Sequence, residues 1–348
     1  MPLPLLDNQS CLLQAPREVS LELTRRCNLR CPFCFVSKFA PTGRPDLPVA
    51  TWLAFLDELA DAKVFLVAIT GGEPLLYPGI RDLIRHLADL PMRYKLYSNG
   101  VLLDDETADF LAATGHCEYV QISLDGNQAT HDAIRGPGVH AKALQALKRL
   151  QARGLGCQVN MVVTRENCGV VIPAAQKLLE EFSLVALHFS PVTGISDLPT
   201  AAQLAAVIHE AEKLRKKYPR IIAGKLFSLL ASIRQPYSPD SGLPFPSCAA
   251  QLGALCAVRQ DGCLAPCSAT DDITLGNIQD GNFLELWRES PRWREYRELV
   301  TVPAPLPSRD GCHDCRYQWE CRRRCLNHAS ATYCLRDVAD ALAALPEP

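Results

Sequence analysis

The chain has 348 residues, a formal net charge of −2 and 48% hydrophobic residues, which is the composition of an ordinary globular protein. The nearly neutral charge gives no reason to expect a nucleic acid or an acidic membrane surface as a partner, and we expect neither. The length permits one large domain or two domains of ordinary size.

The N-terminal residues and the cysteines together predict a cytoplasmic location. No apolar run approaches the ~20 residues of a membrane-spanning helix, and the first ten residues lack the basic segment of a signal peptide. Thiols stay reduced in the cytoplasm, so the 16 cysteines are better explained as metal ligands than as disulfides. Most of them cluster at 27–34, 248–267 and 312–334.

Short apolar segments alternate with helical patterns from residue 19 to about residue 191. Each predicted strand ends in turn-forming or polar residues. The six strands cover residues 19–23, 65–70, 94–98, 120–124, 159–163 and 184–189. This order predicts an α/β fold with a parallel sheet, either a whole or partial barrel or a doubly wound sheet. In both, the loops at the C-terminal ends of the strands hold the chemistry.

Two of the intervening helices are marked by their apolar spacing. The first has Trp52, Phe55, Leu56 and Leu59 on one face. The second extends through 144–150 and is expected to end near Gly154, because glycine is a frequent C-terminal cap.

The alternation of strand and helix patterns ends at about residue 195. Residues 201–218 predict a charged amphipathic helix, and the proline- and serine-rich residues 235–248 predict a linker. The cysteine-rich remainder has too little apolar material for a good core and is expected to fold around metal. We therefore predict four segments: an N-terminal extension 1–18, a catalytic core 19–225, a linker 226–247 and a metal-binding domain 248–340.

Three cysteines, Cys27, Cys31 and Cys34, directly follow the first predicted strand. A closed structural zinc site takes four ligands, and the nearest other cysteine or histidine residues are Cys11 and His86. The alternative is a [4Fe–4S] cluster held by three thiolates, with one iron left open for a ligand.

Glycine and polar residues also mark the next strand ends. They are Gly71, Gly72, Glu73 and Pro74 after the second strand, Ser98 and Asn99 after the third, and Ser123 and Asp125 on the fourth. Alone, the Gly-Gly pair reads as a turn before a helix that begins with proline. His131 and Arg135 lie four residues apart on one face of the next predicted helix. For His131, a capping or packing role has at least as much support as a role in the active site.

The cysteine loop, with Phe33 before its last cysteine, resembles the signature of the radical S-adenosylmethionine (SAM) enzymes. The resemblance implies a partial (β/α)6 TIM-like barrel and a [4Fe–4S] cluster whose open iron binds SAM. One-electron reduction of SAM then yields a 5′-deoxyadenosyl radical that abstracts a substrate hydrogen atom. The residues implied in SAM binding are Phe33, Gly71, Gly72, Glu73, Pro74, Ser98, Asn99, Ser123, Asp125 and Arg135.

The C-terminal cysteines resemble the SPASM extension of that family, C-x9-15-G-x4-C followed by C-x2-C-x5-C-x3-C and a last cysteine. The resemblance implies two auxiliary [4Fe–4S] clusters, three clusters in all, where spacing alone also allows a pair of zinc ribbons. The second auxiliary cluster is assigned Cys312, Cys315, Cys321 and Cys334. The first is assigned Cys248, Cys267, Cys325 and, as the predicted fourth ligand, Cys256, with Cys263, an open site or a non-cysteine ligand as alternatives.

SPASM relatives oxidise or crosslink their substrates, and the favoured substrate here is a ribosomally synthesised peptide. The alternatives are a small sugar or aminocyclitol, a cofactor-pathway intermediate, and a scaffold that binds clusters without catalysis. With only about 18 residues before the first strand, we expect a separate leader-binding protein or recognition by the SPASM region. The resemblance also implies an electron donor such as flavodoxin or ferredoxin. No catalytic base is indicated, since Ser268 stands where sulfatase maturases carry an aspartate.

Overall fold

A computed structural model describes most of the chain. It covers residues 13–34, 36, 44–192, 198–219, 221–236, 238, 249–250, 253–268, 273–293, 295–296, 311–321 and 333–348. The predicted ligands Cys248 and Cys325 lie outside these ranges, as do residues 237 and 239–247 of the predicted linker.

Within the described ranges the strands form one ten-stranded sheet, in the order β10-β9-β8-β1-β2-β3-β4-β5-β6-β7. The strands are β1 Glu18–Glu22, β2 Leu66–Thr70, β3 Arg93–Ser98, β4 Cys117–Ser123, β5 Cys157–Val163, β6 Ala186–Pro191, β7 Ile222–Ala223, β8 Leu255–Val258, β9 Cys263–Ala265 and β10 Gly276–Asn277. Strands β1 to β6 run parallel in chain order, which confirms the predicted α/β fold with its six strands.

Helices connect the parallel strands, and a 3-10 turn at Pro74–Leu76 follows β2. The helices are α1 Val49–Asp61, α2 Ile80–Ala88, α3 Asp105–Ala113, α4 Gln128–Arg135, α5 Val139–Ala152, α6 Val171–Glu181, α7 Ala201–Lys217, α8 Lys225–Arg234, α9 Phe283–Glu289, α10 Gln318–Cys321 and α11 Leu335–Ala343. In the part of the chain that the structure describes, none of them is long and apolar enough to span a membrane.

The strands alternate between an apolar outer face and a polar inner face. On β1, Val19 and Leu21 are fully buried beneath the helices, as the period of two requires. On the inner face, Lys95 from β3 reaches Glu18 from β1 at 2.7 Å, and both side chains are largely screened from water. The core therefore lies between sheet and helices, and the inside of the half barrel is polar.

The helices follow their sequence signals closely. The apolar face predicted for the first helix is buried in α1. Helix α5 ends at Ala152, two residues before Gly154, whose φ of +71° is the left-handed conformation that only glycine adopts freely. Helix α7 begins at a capping box in which Thr200 and Gln203 each bond the backbone of the other.

The cysteine-rich segment is continuous with the core. Strand β8 pairs in parallel with β1, Glu18 opposite Leu255, so β8, β9 and β10 extend the sheet beyond its first strand. The linker predicted to begin at residue 226 is helical over its first part, because Lys225–Arg234 buries an apolar face.

Side-chain hydrogen bonds attach the C-terminal residues to the half barrel. The Tyr333 hydroxyl donates to the Val192 carbonyl at 2.7 Å, just beyond the end of β6. The Ser232 hydroxyl on α8 donates to the buried Glu320 carboxylate at 3.3 Å. The chain next to Cys334 is therefore attached just beyond β6, and the chain next to Cys321 is attached to α8.

Candidate active site

A cleft of about 450 Å³ opens at the C-terminal ends of the parallel strands. It is lined by Cys27, Cys31 and Cys34 and by most of the predicted SAM contacts. These are Phe33, Gly71, Gly72, Ser98, Asn99, Ser123 and Arg135. The remaining predicted contacts, Glu73, Pro74 and Asp125, are buried behind this surface.

Nitrogen donors surround the thiols of the cysteine loop. The Leu29 N–H donates to Cys27 Sγ at 3.4 Å, and Asn99 Nδ2 lies 3.9 Å from the same sulfur. Arg135 Nη1 lies 3.8 Å from Cys31 Sγ. Donors of this kind stabilise sulfur carrying negative charge, so the surroundings of Cys27 and Cys31 suit thiolate ligands of an iron–sulfur cluster.

Burial raises the pKa of the Cys27 and Cys31 thiols. The neighbouring Arg135 guanidinium acts in the opposite direction on Cys31. Without metal these groups are protonated thiols, and cluster assembly has to displace their protons.

The two glycines after β2 allow the loop to cross the cysteine loop at backbone contact. The Gly72 N–H donates to the Thr24 carbonyl at 2.7 Å, and the Glu73 N–H donates to the Arg26 carbonyl at 2.8 Å. A Cβ on Gly72 would lie 2.3 Å from the Arg26 carbonyl oxygen. Gly71 also has a φ of +133°, which side chains rarely adopt.

Glu73 joins the loops after β2 and β3. Its Oε1 accepts from the Ser98 hydroxyl at 2.9 Å and from the Leu75 N–H at 3.3 Å. Its Oε2 accepts the Asn99 N–H at 2.8 Å. A carboxylate has about four acceptor positions, of which these bonds occupy three, and the contact of Glu73 with the SAM amino group stays a prediction. Burial raises the pKa of Glu73 to about 7, against the lowering effect of these three donors.

Asp125 and Arg135 form a buried ion pair below the cleft. Arg135 Nε lies 2.5 Å from Asp125 Oδ2, while the Val162 N–H donates to Asp125 Oδ1 at 2.8 Å. The Arg135 guanidinium carbon lies 5.6 Å from the centre of the Phe33 ring. Asp125 thus orients Arg135, and the two Nη groups of Arg135 are the part that faces the cleft.

His131 supports this pair from beneath. Its Nδ1 accepts the Asp125 N–H at 3.0 Å, and the ring is fully buried. Burial lowers the pKa of His131 to about 4, so the ring is neutral at pH 7. These contacts support the packing role of His131, which also positions Asp125.

The sequence motifs miss several residues of the cleft. Tyr97, Gln121, Asn160, Ser190 and Lys225 line it. Four of these five lie on the inward faces of β3 to β6, and Lys225 is the first residue of α8. The available signal was a polar residue at every second position of otherwise apolar strands.

The described C-terminal cysteines fall into two groups. Cys321 lies near Cys334, Cys315 and Cys312, which together raise its pKa after the larger effect of burial. Within the residues that the structure describes, no three or more cysteine, histidine or carboxylate side chains lie close enough together to hold a metal ion, so the assignment of these four cysteines to the second auxiliary cluster stays a prediction.

Of the cysteines considered for the first auxiliary cluster, the structure describes Cys256, Cys263 and Cys267. Cys256 is fully buried in β8 among apolar residues, and this burial strongly raises its pKa. Such surroundings suit a core residue, so they give no support to Cys256 as the fourth ligand. Cys263 is half-buried on β9, 3.9 Å from Asn277 Nδ2, and Cys267 packs at the edge of the core.

Family models match both parts of the chain. The radical SAM superfamily model matches residues 21–167, and the SPASM iron–sulfur cluster-binding domain model matches residues 248–316. The chain belongs to the radical SAM superfamily and, within it, to the SPASM branch.

Relatives of similar length agree with this assignment. A mycofactocin maturase of Mycobacterium ulcerans is 31% identical, over 90% of this chain and 84% of the relative. An AdoMet-dependent heme synthase of Methanosarcina barkeri is 26% identical, over 89% and 91%. A PqqA peptide cyclase of Gluconobacter oxydans is 28% identical, over 84% and 82%.

Solved structures show the same fold at low sequence identity. Streptococcus suis SuiB bound to its precursor peptide SuiA is 17% identical, with a TM-score of 0.69 over 93% of this chain and 73% of SuiB. This similarity concerns the fold: a parallel half barrel followed by a cluster-binding domain.

Proposed function

We propose that this radical SAM/SPASM enzyme oxidises or crosslinks a ribosomally synthesised peptide. The supporting observation is the near full-length match to a mycofactocin maturase and a peptide cyclase. A cleft of about 450 Å³, with three cysteines at one end and polar strands beneath it, is the place for SAM and the reacting group of the substrate in this proposal.

The cluster and SAM, when bound, supply a reductively generated adenosyl radical that removes a hydrogen atom from the substrate. The chain supplies the ligands and the orientation. Cys27, Cys31 and Cys34 hold three irons, and the backbone at Gly71 and Gly72 lies open to the methionyl group.

The polar residues around the cysteines have distinct roles in this proposal. The free acceptor position of Glu73 takes the SAM amino group, and the Nη groups of Arg135 take its carboxylate. Ser98 and Asn99 fix the carboxylate of Glu73, and Asp125 fixes Arg135. Ser123 offers a hydroxyl to the ribose.

In this proposal the C-terminal cysteines would hold two further [4Fe–4S] clusters, which would supply an electron acceptor for the oxidation of the substrate. Cys312, Cys315, Cys321 and Cys334 bind one of them. Cys248, Cys267 and Cys325 bind the other, whose fourth ligand is unassigned. A flavodoxin or ferredoxin supplies the reducing electron, and a separate small protein presents the peptide leader.

Anaerobic reconstitution tests the radical chemistry. The wild-type protein is expected to bind about 12 iron atoms per chain and to release 5′-deoxyadenosine when reduced with SAM. Changing Cys27, Cys31 and Cys34 to alanine should abolish this release while about two-thirds of the iron remains. Cleavage of SAM by that triple variant contradicts the assignment.

Mass spectrometry of peptides encoded beside the gene tests the substrate class. The expected product has lost two hydrogens after turnover. The relationship to a heme synthase favours a second candidate, a small-molecule oxidation. Loss of two hydrogens from a metabolite, with the peptides unchanged, supports that alternative.

A further inference from the structure

The cleft has a second wall, which the predicted SAM contacts do not use. Gln121, Asn160 and Ser190 line it from the inward faces of three neighbouring strands, β4, β5 and β6. All three are half-buried and uncharged. Their side chains are joined into two hydrogen-bonded groups that fix how each amide is turned.

A buried glutamine sets the orientation of Gln121. Gln158 is only 3% exposed, and its Nε2 donates to Gln121 Oε1 at 2.5 Å. The same nitrogen lies 3.3 Å from His188 Nδ1. An amide nitrogen only donates, so Gln121 has to turn its oxygen toward Gln158, which leaves its Nε2 for the cleft.

The Ser190 hydroxyl orients Asn160 in the same way, because it holds the side-chain oxygen and leaves the side-chain nitrogen without a bond to Ser190. Ser190 Oγ donates to Asn160 Oδ1 at 2.8 Å, so the two N–H groups of Asn160 Nδ2 remain. Within the part of the chain that the structure describes, no oxygen accepts a hydrogen bond from Gln121 Nε2 or Asn160 Nδ2. The wall therefore presents two oriented donor groups.

We propose that Gln121 and Asn160 form a subsite that binds carbonyl oxygens of the substrate's peptide backbone, an inference that rests on the proposed function. Carbonyl oxygens only accept hydrogen bonds, which matches two amides whose own oxygens already contact protein. The subsite is uncharged and suits a neutral carbonyl, whereas charged groups bind at the Arg135 side of the cleft. Backbone recognition tolerates varied side chains, while Gln158 and Ser190 act as positioning residues.

The test measures binding of a probe that has carbonyls and no side chains, acetyl-tetraglycine amide. The reconstituted, reduced enzyme is titrated with this probe in the absence of SAM, and paramagnetic relaxation of the acetyl methyl protons reports binding near the cluster. The isosteric variants Gln121→Glu and Asn160→Asp replace donors by acceptors. Gln145→Glu, on the exposed face of α5, makes the same chemical change away from the cleft.

We expect each cleft variant to weaken probe binding about tenfold, with Gln145→Glu unchanged. SAM affinity by equilibrium dialysis, and 5′-deoxyadenosine release without probe, should stay within about twofold of wild type in the control variant Gln145→Glu. Iron content and the cluster absorption spectrum report folding. If one cleft variant fails to bind its clusters, the other variant, whose substitution lies on a different strand, decides the test.

Three outcomes overturn the inference. Wild-type enzyme that does not bind the probe has no carbonyl subsite, and equal binding by both cleft variants means that these amides do not form it. A roughly tenfold loss of SAM affinity in the variants assigns the wall to the adenosine portion of SAM instead. Absence of 5′-deoxyadenosine from the wild type is a separate failure, that of the proposed function, because probe binding is measured independently of cleavage.

Discussion

Gly72 lies where the loop after β2 crosses the start of the cysteine loop, and backbone atoms surround it on that side. Gly72→Ala places a methyl group 2.3 Å from the Arg26 carbonyl oxygen, which cannot move without disturbing the cysteines. We expect the free energy of unfolding of the metal-free protein to fall by about 2–3 kcal/mol.

Chemical denaturation measures this loss, and Gly169→Ala is the matched control. Gly169 has open space around its missing side chain and no left-handed backbone conformation. A Gly72→Ala protein as stable as the control contradicts the described crossing of the two loops.

Glu73 predicts a pH dependence of stability in the metal-free protein. Burial raises its pKa from 4.5 to about 7, so between these values the folded state binds more protons than the unfolded chain. The contribution of Glu73 to stability is therefore greatest below pH 4.5 and is lost as the pH rises through 7. Relative to Glu73→Gln, the wild type should lose up to about 3 kcal/mol over this range.

Denaturation of both proteins from pH 4.5 to 8 measures the difference. The exposed Glu166→Gln variant should track the wild type at every pH. A wild-type advantage over Glu73→Gln that grows with rising pH is the opposite result and shows that Glu73 is ionised throughout.

Individual residues were predictable where spacing carried the chemistry. The cysteine loop stood out because few other arrangements place three cysteines so close together, whereas the glycine pair gained its meaning only from following that loop. Asn160, Gln121 and Ser190 were missed because a polar residue in an alternating strand indicates only the less buried face. Which of these residues meet depends on strand register, and no local pattern specifies it.

Strand β4 and helix α4 are held together by the Asp125–Arg135 pair. Removing one partner leaves a buried, unpaired charge, so Asp125→Asn should destabilise the protein by about 3 kcal/mol. Adding Arg135→Met to this variant should recover part of the loss, since the charge is then gone.

A double-mutant cycle by chemical denaturation, with Arg135→Met alone as the fourth corner, measures the coupling. Additive effects of the two changes would show that the pair does not join strand to helix. Asn127→Ala, which removes the N-terminal cap of the same helix, should lower the free energy of unfolding by only about 1 kcal/mol. This smaller loss is the reference against which the effect of Asp125→Asn is compared.

Elements with strong periodicity were predictable to within a few residues, as the six parallel strands illustrate. The additional strands β7 to β10 were not predictable from the sequence. Leu255–Val258 pairs with a strand near the N-terminus, and such a distant parallel pairing leaves no local signal. The cysteine-rich composition instead suggested a separate domain, and helix α8 was taken for a linker.

At the scale of the molecule, the C-terminal segment completes the sheet on which the cleft depends. A chain ending at residue 247 lacks β8 and exposes the unpaired edge of β1 beside the cysteine loop. We expect this truncated chain to be aggregation-prone and unable to hold the first cluster.

Size-exclusion chromatography and iron analysis of the truncated protein test this expectation. Its control is the full-length chain with Cys312 and Cys315 changed to alanine, which keeps β8. A monomeric truncated protein with a full complement of four irons would show that the half barrel is self-sufficient.

The pairing of β1 with β8 also constrains how the protein is made on the ribosome. Strand β1 leaves the exit tunnel early, but its partner Leu255–Val258 emerges only after most of the chain has been translated. Throughout that interval the nascent half barrel has an open edge next to reactive thiols. Stalled ribosome complexes ending before residue 258 should therefore be held by chaperones and be sensitive to protease, and delivery of the first cluster should follow release of the complete chain.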